Sequence, residues 1–310
     1  ILKTIKNNSA TLDSPKEAWN TLVKKFDDIT EKSVIDSFLL HFWISKYAYS
    51  TDKILFSLIK EFVLEDKENA RVLLEGFIKS SSSYSKMLKP EIFSWSNEQQ
   101  EIKNSLISLN SFKVKQQSSF VLALLDKYFE KSLTLRQVKK ILSKIEHFHF
   151  VFNAITQQRS SGSIASMYSQ HAIRLNNAGS ESELQSVISS LSRKIDEKTP
   201  SYEEFEVKFL ELNYLSNKTK SKNIIKYSLC KLIGTTANGL NIDSSSLTIE
   251  HIIPEAELKK GTSTEIIGNI GNLLLTDSKT NSDNLKDKTP EEKLKFLQSS
   301  SYPLENNHIY

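Results

Sequence analysis

The chain has 310 residues, a formal net charge of +4 and 38% hydrophobic residues, which suits a soluble protein of two domains with a sizeable core. Its single cysteine, Cys230, excludes an internal disulfide and a cysteine-built zinc site, and fits a reducing cytoplasm. No apolar run reaches the ~18 residues of a membrane span, and the opening ILKTIKNNSATLD has no signal-peptide core.

The first two thirds read as helices. Ser14-Pro15-Lys16-Glu17 is a capping box with Pro at the first turn. It opens a helix whose apolar face is Trp19, Leu22, Val23 and Phe26. Ser33 to Tyr47 is rich in large apolar residues and is expected to be a buried helix, with His41 a satisfied core histidine. Lys53 to Leu64 and Glu68 to Ser80 are amphipathic, and Ser80 to Ser83 is either a loop or a polar turn inside a longer helix. Trp95 to Leu109 and Ser118 to Phe129 continue the pattern. Thr134-Leu135-Arg136-Gln137 is another capping box, opening a helix towards Ile155. His147 and His149 are two apart, so on a helix they do not share a face, and packing outweighs metal binding there. Gln157 to Ser163 is a polar break. Ser166 to Leu175 and Glu181 to Ile195 resume helices, and almost no β pattern precedes residue 240.

Thr199-Pro200 marks the junction to a different composition. Ser201 to Leu212 is acidic and amphipathic. From Leu212 to Ile242 there is no Asp or Glu, while Lys218, Lys220, Lys222, Lys226 and Lys231 fall inside the run. Lys222 to Ile233 reads as a helix with Gly234 as its C-cap. A charge run is usually a solvated face. One that lacks acids and precedes a phosphate-handling segment points instead to phosphate contact, which positions a nucleic acid without reading its sequence.

That segment is Leu247 to Lys293. LTIEHII is β-branched and ends at Pro254, so it reads as a strand. Asn272 to Thr276 reads as a second strand, and Thr289-Pro290-Glu291-Glu292 as a helix start. The ordinary near-neutral pKa of imidazole makes His251 the natural general base. Its second nitrogen then needs an acceptor to fix the tautomer, and the side-chain or backbone carbonyl of Asn272 is the expected source. Glu250 and Asn281 offer oxygen, which suits a hard divalent ion, Mg²⁺ or Mn²⁺, that keeps several waters. Lys279, Lys286 and Lys288 flank this set and add to the backbone contacts expected from Lys218, Lys220 and Lys222.

Glu250-His251-Ile252-Ile253-Pro254, Gly271-Asn272-Leu273 and Asn281-Ser282, followed by Lys293, resemble the HNH (His-Me finger, ββα-metal) domain of the GmrSD-type modification-dependent restriction family. Ser37 to Tyr47 and Lys139 to Ile155 resemble the helical middle of the same proteins. The specific motifs lie only in the last quarter. Two departures stand out. The residue after the proline is often Gln and is Glu255 here. The stretch after Asn281 is one residue longer, which leaves Asn284 as a rival metal ligand.

The resemblance implies a mainly α protein: a multi-helix domain over residues 1–200, then a small α+β HNH nuclease domain over 201–310. It implies a metal-dependent DNA endonuclease or nickase, the C-terminal part of a cytoplasmic antiphage restriction effector. Its partners would be double-stranded DNA, from phage or carrying a modification mark, and an N-terminal nucleotide-hydrolysing domain of the same protein. A non-cleaving DNA-binding module and an RNase using the same site are the other readings.

Overall fold

The computed structural model describes residues 15–26, 29, 33–158, 162–218, 220–236, 247–286 and 288–300. The described chain is mainly helical with one small sheet, and it divides into two compact units. The first comprises residues 1–149 with 158–199, the second residues 150–157 with 200–310.

The first unit contains α1 (Pro15–Lys24), α2 (Val34–Lys46), α3 (Asp52–Glu65), α4 (Lys67–Leu88), α5 (Gln100–Ser111), α6 (Ser118–Phe129), α7 (Leu135–His149), α8 (Ser163–Asn177) and α9 (Glu181–Lys198). Ser14, the expected cap of α1, lies outside the described residues. The serines at 80–83 sit inside α4, where Ser80 donates to the buried Asp126 of α6 at 2.6 Å. A buried serine with a partner costs a helix little, so the polar stretch does not break it. The Thr134 box closes as read, with Gln137 accepting from the Thr134 N–H at 2.8 Å. The helix it opens changes at Phe150 to a π-type turn, Phe150–Ile155, and this turn belongs to the second unit. His149 is buried and stacks on Tyr168, ring centres 5.6 Å apart, while His147 is exposed.

α2, α6 and α8 form the centre of this unit. Phe38, Phe42, Phe77 and Tyr84 pack their rings around it. His41 is buried with Nδ1 2.8 Å from the Tyr84 hydroxyl, as expected of a core histidine. Burial, with Lys115 nearby, holds its pKa at about 4. An unfolded histidine takes a proton below its ordinary value near 6.5, but this ring resists until about 4. Stability is therefore lost as pH falls through that window, by about 3 kcal/mol in total. We expect the stability difference between the wild type and His41→Gln to narrow by that amount from pH 7 to 4. Denaturant midpoints followed by tryptophan fluorescence at each pH read it; a constant difference would contradict it.

The second unit contains α10 (Tyr202–Leu210), α11 (Lys222–Thr236), β1 (Leu247–His251), α12 (Thr264–Gly268), β2 (Leu273–Asp277) and α13 (Pro290–Ser299). The expected stop at Gly234 does not occur: α11 continues to Thr236. β1 and β2 pair antiparallel, with Ile249 opposite Leu275, Glu250 opposite Leu274 and His251 opposite Leu273. Alternation along β1 puts Leu247, Ile249 and His251 on one face, and Thr248 and Glu250 on the other. The first face packs on Ile225, Leu229 and Ile233 of α11 and on Tyr214. On the other side, Leu274 joins Ile252, Leu285 and Leu297. The sheet is thus a thin layer between α11 and α13. α13 begins with a closed capping box, Thr289 and Glu292, that follows the sequence reading.

Candidate functional site

Glu250, His251 and Asn272 are each only 8% exposed, and all three sit at the end of the β1–β2 pair. His251 is the last residue of β1. Its Nε2 lies 3.0 Å from the Tyr214 carbonyl oxygen, a hydrogen-bond acceptor, so the neutral ring carries its proton on Nε2. Nδ1 makes no hydrogen bond among the described residues. The Tyr214 ring lies against the imidazole, centres 5.7 Å apart and 13° from parallel. Burial, with Glu255 nearby, pushes the Tyr214 phenol up, so it stays neutral at physiological pH.

The expected contact of Asn272 with the ring is not made, because its amide is already committed. Asn272 Oδ1 accepts from the Ile253 N–H at 2.8 Å, and Nδ2 donates to the carbonyls of Ile253 and Ile267 at 3.0 and 2.8 Å. Its backbone carbonyl accepts from Ile252 N–H at 2.9 Å. Asn272 therefore fastens the turn leaving β1 and positions His251 through the backbone. The ring's acceptor comes from Tyr214, a residue the sequence reading did not single out.

Glu250 points to the opposite side of the sheet. Its Oε1 accepts from the Lys293 ammonium at 2.5 Å, and the same ammonium donates to the His251 carbonyl at 2.6 Å. Lys293 is fully buried. A buried carboxylate needs such a partner, and Lys293 also ties α13 to the end of β1. Glu250 Oε2 makes no hydrogen bond among the described residues.

After β2, Asp277 caps a single helical turn by accepting from Thr280 N–H at 2.9 Å; the Thr280 hydroxyl, and after it this N–H, hold its carboxyl below the usual range. The chain then enters the π-type turn Asn281–Leu285. Asn281 Nδ2 donates to Thr248 Oγ1 at 3.2 Å, which brings Asn281 to the face of β1 that carries Glu250. Its Oδ1 makes no hydrogen bond among the described residues. Asn284 lies in the same turn, half-buried, and also makes none.

This donor set fits a hard divalent ion. Glu250 Oε2 and Asn281 Oδ1 are uncommitted oxygens on one face, with Glu250 held through its other oxygen. Among the described residues, no three His, Cys, Asp or Glu side chains are placed together to hold a metal ion, so a closed zinc-type cage is not formed there. Two protein oxygens, with water and phosphate completing the shell, is the arrangement Mg²⁺ accepts.

The six lysines are all exposed. Lys218 and Lys220 line a polar cleft of about 560 Å³ with Asn213, Thr264 and Asn269, and Glu211 and Glu265 also face it. Lys222 begins α11, and Lys279, Lys286 and Lys288 border the Asn281 turn. Among the described residues, no helix is long and apolar enough to cross a membrane.

No curated protein matches the chain. Residues 199–308 match the family described as GmrSD restriction endonucleases, C-terminal domain. That span holds β1, β2, α13 and all eleven site residues read from the sequence. The match covers the last third of the chain, and the likeness to that family holds for residues 199–308 only.

Proposed function

We propose that the C-terminal unit is a metal-dependent HNH-type DNA endonuclease that cuts one strand per encounter. The observation that carries this reading is the state of His251: Nε2 committed to the Tyr214 carbonyl, Nδ1 left as a proton acceptor at a strand end. In this reading Nδ1 takes the proton of the water that attacks phosphorus, and bond formation opposite the 3′ oxygen expels that oxygen. Asn272 keeps the strand end in register, and Glu250 and Asn281 would hold the divalent ion. The ion, when bound, neutralises charge developing on the phosphate and on the leaving oxygen. Because Lys293 already offsets the Glu250 charge, the substrate phosphate would supply the remaining negative charge that a bound ion needs. One activated water serves one strand, so the expected product is a nick. The family description supports restriction as the biological setting, and phage or modification-marked DNA would be the substrate in this reading.

The metal assignment is tested by titrating cleavage against Mg²⁺. Asn281→Ala shifts the half-maximal concentration upward while leaving DNA affinity nearly unchanged. If Asn284→Ala gives that shift and Asn281→Ala does not, Asn284 is the ligand. Paired duplex DNA and RNA substrates separate a DNase from an RNase.

Phosphate contact by the lysines is tested separately. Replacing Lys218, Lys220 and Lys222 together with Ala weakens binding to all duplex sequences alike. The slope of log K against log[salt] flattens by about 0.9 for each lost contact. An unchanged slope in the folded triple variant would mean that these lysines face solvent only.

A further inference from the structure

Residues 213–218 form a strap beside His251, and it is held at both ends. At its first end, Tyr214 N–H donates to the Gly268 carbonyl at 2.9 Å, and Asn213 Nδ2 donates to the Thr264 carbonyl at 2.9 Å. The Asn213 amide packs directly on Gly268, so a side chain there would have to displace it. At its other end, Ser216 donates twice to one carboxylate. Its N–H reaches Glu255 Oε1 at 2.6 Å, and its hydroxyl reaches Glu255 Oε2 at 2.5 Å. Glu255 follows Pro254, at the start of the short helical turn Glu255–Lys260 that leaves the His251 strand. Its Oε1 is also 3.5 Å from His251 Nε2.

We infer that Glu255 is a positioning residue for His251: it clasps the strap whose Tyr214 carbonyl fixes the ring tautomer. The inference rests on the proposed role of His251 as general base. Only three residues lie between Glu255 and His251, so one short loop sets both the ring and the clasp. With both carboxylate oxygens engaged, Ser216 has one position, and Tyr214 two residues earlier has little freedom. The Tyr214 carbonyl then meets Nε2 and the Tyr214 ring closes one face of the imidazole. Two acceptors near Nε2, the carbonyl and Glu255 Oε1, favour the same tautomer, with the proton on Nε2 and the lone pair on Nδ1. Without the clasp the strap keeps its first-end bonds and the buried Leu215 but loses its tie to the His251 loop, and the ring can turn or exchange tautomers. A base presenting N–H instead of a lone pair cannot accept a proton.

The test reads the ring directly. The full chain is labelled with ¹⁵N-histidine and studied at pH 8, where an ordinary histidine is neutral. Ring signals are assigned by their loss in His251→Gln. The wild type shows a protonated-type Nε2 and an unprotonated-type Nδ1. Glu255→Ala averages the two nitrogens and lowers kcat by about 10- to 100-fold with little change in KM, the scale of a misplaced catalytic group. Glu255→Gln keeps an acceptor for Ser216 N–H and retains both the ring pattern and most of kcat. Should Glu255→Ala not fold, Ser216→Ala, which removes one of the two clasp bonds, gives an intermediate shift of the same signals. An unchanged ring pattern and kcat in a folded Glu255→Ala, or in Ser216→Ala where only that folds, overturns the inference. A wild type that cuts no DNA but shows the fixed tautomer, lost in Glu255→Ala, overturns the nuclease reading while leaving the clasp standing.

Discussion

Replacing His251 with Ala lowers the single-turnover rate of DNA cleavage by about 10²–10⁴-fold, the usual cost of losing a general base. DNA affinity changes little, because the exposed lysines that would contact phosphate lie elsewhere in the unit. The ring does pack against Tyr214, so the variant also loses some stability, and the comparison is made at a temperature where both proteins are folded. Retention of more than half the wild-type rate in a folded variant would remove His251 from the chemistry.

Replacing Lys293 with Met has the largest expected effect on stability, about 3–5 kcal/mol. Lys293 is fully buried, and its loss leaves the Glu250 carboxylate, only 8% exposed, without its charged partner. The His251 carbonyl loses a donor as well. Such a cost is a large share of the 5–15 kcal/mol typical of a domain. Removing both charges, as Glu250→Gln with Lys293→Met, restores much of it, because no unpaired ion remains. The same logic affects the choice of Glu250 variants. Glu250→Ala strands the lysine, so Glu250→Gln is the cleaner test of metal binding. The chain's three tryptophans, Trp19, Trp43 and Trp95, all lie in the first unit. Unfolding of the second is therefore followed by hydrogen exchange at the β1 and β2 amides. A loss below about 1 kcal/mol in Lys293→Met would mean that water reaches the pair.

The helices and the strand pair were legible because their signals are local. Apolar spacing marked the buried face of α2, and β-branched residues ending at a proline marked β1. The Thr134 and Thr289 boxes set helix starts within four residues of sequence. What the sequence could not display was contact at long range. The Tyr214 carbonyl is 37 residues from His251, and Lys293 is 43 from Glu250. A backbone carbonyl carries no residue signature at all, so the acceptor was assigned to Asn272, the nearest polar residue of the motif. Asn272 does serve His251, but through Ile252 and Ile253. Lys293 was visible only as part of the resemblance, because a lysine in an amphipathic helix is normally solvated. Gly234 misled in the opposite direction: a glycine favours a helix end, yet the packing of Ile225, Leu229 and Ile233 on the sheet carries α11 past it.

The most direct test of the nuclease reading is incubation of the wild-type chain with supercoiled plasmid, modified and unmodified, with Mg²⁺, with Mn²⁺ and with EDTA. The account predicts conversion to nicked circles with either metal and none with EDTA. Supercoiled DNA left intact on every plasmid in the presence of metal, or cleavage that EDTA does not stop, would contradict it.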